Sequence, residues 1–152
     1  AEDCIKVFDV NLRQNYYSQE LILNNMELSN VLKLNSDELQ EISEMLSIDG
    51  LESQILGEII NKFDLELIAL TKGGEGSRLV SAQDSSFLEP LETNIKDTVG
   101  AGDSFTAGLV SGLLHDLPLQ ECHARANRLA SYVCTQDGAT PPIPADLLAK
   151  NN

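Results

Sequence analysis

The run Asp97-Thr98-Val99-Gly100-Ala101-Gly102-Asp103-Ser104-Phe105-Thr106-Ala107-Gly108 holds the residue types best suited to chemistry in this chain. Two glycines flank a small residue and an aspartate follows. Phe105, Leu109, Val110, Leu113 and Leu114 then recur at helical spacing. Gly100 and Gly102 allow a tight turn and the close approach of a ligand, with no Cβ in the way. The helix behind them directs unpaired N–H groups into the turn, which suits an anion such as phosphate. A carboxylate at Asp103, beside that anion, is placed to act as a base. Its plain structural alternative is an acid at a helix start, which caps N–H groups and meets the dipole favourably by about 0.5–1 kcal/mol.

Four further groups combine chemistry-bearing side chains with a simpler structural reading. Asn35 and Glu38 follow a short apolar run, where Asn at the cap and Glu at the third helical position satisfy two orphan donors reciprocally. Thr71-Lys72-Gly73-Gly74-Glu75-Gly76 reads as a glycine turn, and Lys72 as a solvated charge. It is not a Walker A loop, because Gly-Lys-Ser/Thr occurs nowhere in the chain. Asp9-Val10-Asn11-Leu12-Arg13 alternates polar and apolar residues as a strand edge does. Asn127 lies inside a helical pattern, where Asn usually faces water. His115 and His123 have no carboxylate or cysteine partner nearby in sequence, and both are expected at the surface or at helix ends.

From Asp97 to Gly108 the sequence resembles, residue by residue, the C-terminal signature of the ribokinase/PfkB family of carbohydrate kinases. That resemblance implies that Asp103 is the catalytic base, taking the proton from a sugar hydroxyl as it attacks the γ-phosphate of ATP. It makes Gly100, Ala101, Gly102 and Asp103 the anion hole for the transferring phosphoryl group. It also gives Asn35 and Glu38 the role of organising Mg²⁺ and phosphate through water. Thr71, Gly73 and Gly76 match a Thr-x-Gly-x-x-Gly loop that lies against the nucleotide, and Asn127 matches an asparagine near the adenosine. Asp9-x-Asn11-x-Arg13 resembles the fructokinase and 2-keto-3-deoxygluconate kinase branches, in which Asn11 and Arg13 face the sugar and phosphate. There the guanidinium gives bidentate anion contact. Asp97, the Val99 carbonyl and the Gly138-Ala139-Thr140 turn match the place where some members hold a monovalent cation such as K⁺.

The elements that must position these residues follow from periodicity and end signals. Strands are expected at Ile5–Val10, Val31–Leu34 and Leu65–Thr71, with shorter extended pieces at Ser77–Ala82 and Ser86–Leu88. Helices are expected at Ser18–Leu28 behind a Ser18 cap, at about Ser36–Leu46, and at Leu51–Phe63 with Ile55, Leu56, Ile59 and Ile60 on one face. Two more span Ala101–Leu114 and about Leu119–Thr135, and a short helical tail reaches toward Lys150 after Pro141-Pro142-Ile143-Pro144. Strands alternating with helices imply βαβ units and a mostly parallel sheet in a three-layer α/β/α sandwich of ribokinase-like type. Ligands in such sheets bind beyond the C-terminal ends of the strands, where the motifs fall.

Bulk properties limit the function classes. At 152 residues, with 42% hydrophobic residues, the chain has enough length for a core. A net charge of −14 argues against nucleic acid and anionic membrane surfaces as partners. No apolar run reaches membrane-span length, and the acidic Ala1-Glu2-Asp3 start does not read as a signal peptide. Three cysteines without metal-ligand spacing fit reduced thiols and a cytoplasmic protein.

The resemblance covers the C-terminal half of the family's length. Residues 1–152 are therefore expected to be the C-terminal, nucleotide-binding part of a single ribokinase-like domain, without its N-terminal half and lid. The activity expected of the whole is fructokinase-like transfer from ATP to a sugar. Transfer to 2-keto-3-deoxygluconate or another small sugar is an alternative, and so is an inactive nucleotide-binding fragment. An unpaired edge strand at Ile5-Lys6-Val7-Phe8 is expected to promote self-association.

Overall fold

The computed structural model describes residues 4–13 and 16–148; the Ala1-Glu2-Asp3 start and the Lys150 end of the expected tail lie outside the described residues. The chain forms two compact units. One takes the described residues up to Gly73 with Arg78–Ser85, the other Gly74–Ser77 with the described residues from Ser86 on.

In the first unit the strands are β1 (Val7–Asp9), β2 (Val31–Asn35) and β3 (Leu67–Thr71), with helices α1 (Gln19–Leu28), α2 (Ser36–Leu46) and α3 (Glu52–Phe63) between them. β1 pairs with β2 and β2 with β3, both parallel, with Asp9 opposite Lys33 and Asn35 opposite Thr71. Parallel neighbours require crossovers, and α1 and the α2–α3 pair supply them. The first two helices start where their cap signals lie, whereas α3 begins after Leu51 with no side-chain cap. The Ser18 side chain accepts from the Leu21 N–H at 3.2 Å, and Asn35 caps α2. Leu32, Leu34, Ile42, Leu56, Ile59, Ile68 and Leu70 are fully buried and form the centre of the core. Each such side chain removed from water contributes roughly 1.5–3 kcal/mol. Ile55 packs against this core only partly buried, at the margin of the α3 stripe.

Two strands are shorter than their apolar runs. Asn30 intervenes at both: its side chain takes the Lys6 N–H at 2.7 Å, and its carbonyl takes the N–H groups of Glu66 (2.8 Å) and Leu67 (3.3 Å). The regular ladder therefore begins at Val7 and Leu67, although Leu65 is buried.

After the single turn of 3₁₀ helix at Gly73–Glu75 come β4 (Ser77–Val80) and β5 (Ser85–Leu88). Their connection is too short for a parallel crossover and is closed by Ser81, whose N–H donates to the Asp84 carbonyl at 2.9 Å and whose hydroxyl accepts from the Asp84 N–H at 3.0 Å. The strands are hydrogen-bonded in the order β1-β2-β3-β4-β5, a mixed sheet in an α/β fold.

The second unit is built on α4 (Ala101–Leu113) and α5 (Leu119–Cys134), followed by the short α6 (Ala145–Leu148). α4 and α5 approach closely because α4 presents glycines one turn apart. A Cβ at Gly108 would lie 2.8 Å from the Ala126 Cα, and one at Gly112 would lie 2.9 Å from the Cys122 Sγ. Phe105 and Leu109 of α4 and Cys122, Ala126, Leu129 and Val133 of α5 are buried. Among the described residues no helix is long and apolar enough to cross a membrane.

The two kinds of helical glycine should respond oppositely to substitution. A Cβ at Gly57 in α3 meets nothing within 4 Å. Gly57→Ala should raise the unfolding free energy by about 0.5–1 kcal/mol, the helix-propensity gain. Gly108→Val forces α4 from α5 and should lower it by about 1–3 kcal/mol. Denaturant unfolding of both variants checks the contrast.

Candidate functional site

The C-terminal ends of β1, β2 and β3 bring three of the motifs together within the first unit. At the centre is Glu38, 6% exposed. Its Oε2 accepts the Asn35 N–H at 2.8 Å, and the Asn35 Oδ1 accepts the Glu38 N–H at 2.9 Å, so the reciprocal cap is complete. The other carboxylate oxygen accepts the Leu12 N–H at 3.3 Å, which ties the exit of β1 to the start of α2. Burial pushes the Glu38 carboxyl above the usual range, against the pull of the Asn35 and Leu12 N–H groups and of the Lys33 charge. Beside it Lys33 Nζ pairs with Asp9 at 2.9 Å. Lys33 is buried in β2 among apolar neighbours, and its signal in sequence was a lone cation within a buried strand.

Asn11 and Arg13, both exposed, are joined by a hydrogen bond from Arg13 Nε to Asn11 Oδ1 at 2.9 Å. Thr71, opposite Asn35, donates its hydroxyl to the Leu34 carbonyl at 3.4 Å. Lys72 is not the solvated charge expected from its place in a glycine turn. It pairs with Glu52 at the start of α3 at 2.8 Å, and Arg78 pairs with the same carboxylate at 3.1 Å. Gly73 begins the 3₁₀ turn at φ +55°.

The second unit assembles the remaining candidates. Gly100 is the N-cap of α4 at φ +80°, a conformation only glycine adopts freely. It has no room for a side chain, since a Cβ would lie 2.7 Å from the Ala139 carbonyl oxygen. Gly100 thus lies against the Gly138-Ala139-Thr140 turn. The Asp97 carboxylate accepts the Val99 N–H at 3.0 Å, and the N–H groups of Lys96 and Asp97 donate to the Cys134 carbonyl at 2.8 and 3.3 Å. Ala101 and Gly102 are already helical. Gly102 is absent from the positive-φ positions, so of the two glycines only Gly100 needs left-handed freedom for the turn. No side chain caps α4 among the described residues; the Ala101 N–H donates to the Thr98 carbonyl at 3.2 Å, which leaves the Gly102 and Asp103 N–H groups for a ligand. Asp103 is exposed in that turn, with no hydrogen-bond or ion-pair partner among the described residues. Gly76, at φ +96°, ends the glycine loop where a Cβ would run into the Leu88 carbonyl. Asn127 does not simply face water: its Nδ2 donates to the Glu89 carbonyl at 3.2 Å.

His115 is exposed, its Nδ1 2.7 Å from the Ser111 carbonyl. His123 is not a surface residue. It is fully buried, held by Ser77 Oγ and Ser86 Oγ at 2.8 Å each, with Phe105 edge-on at 6.1 Å. Both serines are distant in sequence, which is why local spacing missed the pairing.

Among the described residues no three His, Cys, Asp or Glu side chains gather as a metal cage. Mg²⁺ needs no such cage, since it keeps several waters and is held by one or two carboxylates together with phosphates.

The family model for pfkB family carbohydrate kinase matches residues 2–146. This chain belongs to that family. It is 28% identical over 149 residues to the probable chloroplastic fructokinase-6 of Arabidopsis thaliana, covering 90% of this chain and 38% of that protein. It is similar in structure to a nucleoside kinase of Methanocaldococcus jannaschii, an archaeal member of the ribokinase family, at TM-score 0.79 and 24% identity, covering 93% of this chain and 47% of that one. An E. coli neighbour solved with ATP and Mg²⁺ matches at TM-score 0.72 and 16% identity, covering 80% of this chain and 38% of that one. The fold is therefore ribokinase-like, and the chain spans less than half the length of these relatives.

The His123 environment sets a pH response. Burial lowers its pKa from 6.5 to about 4, so the folded protein resists a proton that the unfolded chain accepts. The stability contributed by neutral His123 is fully present above pH 6.5 and is lost as pH falls toward 4, where the loss levels off. The total should be about 3 kcal/mol, and His123→Gln should remove this part of the slope. Unfolding free energies from pH 7.5 to 4 check it.

Proposed function

We propose that this chain is the C-terminal, nucleotide-binding part of a single ribokinase-like domain in an ATP-dependent sugar kinase, most like the fructokinases. The observation that carries the reading is the start of α4. There a helical turn without a side-chain cap, opened by Gly100 at φ +80°, presents an exposed Asp103 that has no partner among the described residues. Uncapped N–H groups favour the negative charge of a phosphoryl group in flight, and the adjacent carboxylate takes the proton of the attacking hydroxyl. Phosphoryl transfer asks the protein mainly for positioning and charge stabilisation, and Gly100, Ala101 and Gly102 supply backbone for both.

The other roles follow the family pattern. Glu38, held rigidly by its cap, orients the waters of Mg²⁺, and the ion when bound neutralises phosphate charge. Thr71, Gly73 and Gly76 line the nucleotide, Asn127 shapes its adenosine end, and Asn11 with Arg13 faces the sugar and phosphate. Asp97, the Val99 carbonyl and Gly138 are the candidates for K⁺, supported by the contact of the 138–140 turn with Gly100. The alternative reading is nucleotide binding without turnover. ADP formation with a panel of sugars, set against an ATP-dependent melting shift alone, separates the two.

In the full-length protein Asp103→Asn should lower kcat by about 10²–10⁴ with the KM for ATP little changed, the signature of a lost general base. Activity within about threefold of wild type would remove Asp103 from that role.

A further inference from the structure

His123 is a buried polar side chain on α5 that the phosphoryl-transfer roles leave unused. Nε2 meets Ser77 Oγ and Nδ1 meets Ser86 Oγ, each at 2.8 Å. A neutral imidazole has one donor and one acceptor, and a serine hydroxyl can supply either, so both ring nitrogens are satisfied whichever tautomer is present. The Phe105 ring meets the imidazole edge-on, at a centroid distance of 6.1 Å and an angle of 75°, which restricts rotation.

These partners are not arbitrary. Ser77 directly follows Gly76, the last glycine of the loop, and is itself 3% exposed. Phe105 lies two residues beyond Asp103 in α4. One turn along α5 from His123, Asn127 holds the Glu89 carbonyl, next to the Leu88 carbonyl on which Gly76 rests. A single face of α5 therefore grips the end of the glycine loop, the end of β5 and the first turns of α4.

We infer that His123 is a positioning residue for the nucleotide: through Ser77 it fixes the Gly76 end of the glycine loop, and through Phe105 it holds that end in register with the helix bearing Asp103. Ordering the loop in advance removes an entropy cost from nucleotide binding. The inference rests on the nucleotide-binding reading above. A merely structural histidine would treat its two serines alike, whereas a positioning one depends on Ser77 far more than on Ser86.

The test compares Ser77→Ala with Ser86→Ala, each removing one hydroxyl from the same ring, by ATP titration and by amide exchange. Both variants should lose similar thermal stability. Ser77→Ala should weaken ATP binding about fivefold to tenfold and speed exchange at Gly74–Ser77, while Ser86→Ala should stay within about twofold on both readouts. His123→Gln, whose amide reaches toward Ser77 as Nε2 does, should keep more affinity than His123→Asn. Equal weakening by the two serine variants, or loop exchange unmoved by Ser77→Ala, would overturn the inference. If the wild type binds no ATP yet loop exchange responds to Ser77→Ala alone, the nucleotide reading fails and the anchoring of the loop stands.

Discussion

Burial of the Glu38 carboxylate places the strongest local demand on the first unit. A carboxylate withdrawn from water is costly unless donors reach it, and each unmet donor or acceptor there costs about 1–3 kcal/mol. Asn35 and Leu12 provide N–H groups at 2.8 and 3.3 Å, and the Lys33–Asp9 pair lies beside them. Meeting that demand requires the exit of β1 to lie against the N-terminus of α2, which the parallel register of β1 on β2 produces. The same bonds that stabilise α2 therefore collect Asp9, Asn35 and Glu38 at one end of the strands. Stability and candidate chemistry share a single set of contacts.

In the second unit the constraint is steric rather than electrostatic. Gly108 and Gly112 bring α4 onto α5 at a distance no side chain there would permit, and Gly100 turns into α4 against Ala139. Close packing of this kind resists small displacements, because a dense interior has few low-energy alternatives. The first turn of α4 is thus held firmly while the Gly102 and Asp103 N–H groups and the Asp103 side chain stay without a partner among the described residues. A rigid frame around an unsatisfied polar turn is the arrangement that preorganised anion sites require.

Membership of the carbohydrate kinase family accounts for where these groups lie, at strand C-terminal ends and helix N-termini. It also gives the net charge of −14 a physical meaning. Long-range repulsion of an anionic nucleotide is screened beyond about 10 Å at 0.1 M salt, whereas backbone dipoles and a bound cation act at contact. On the proposed function, a phosphate site in so acidic a chain would rely on short-range donors, and the start of α4 is the candidate to supply them.

The sequence by itself determined what local energetics decide. Ser18 and Asn35 carry cap side chains next to apolar stripes, so α1 and α2 start where the residues say, and Glu38 at the third position of α2 closes its box without help from distant residues. The α4 motif was legible for the same reason, since Gly100, Gly102 and Asp103 lie within one turn. Tertiary structure decided the rest. Asn30 shortened β1 and β3 through hydrogen bonds to residues 24 and 36 or more positions away. Lys72 found Glu52 across 20 residues, and His123 found Ser77 and Ser86 across 46 and 37. No spacing rule within one helix or strand reports such pairs, because the free energy that selects them exists only once the chain has folded around them.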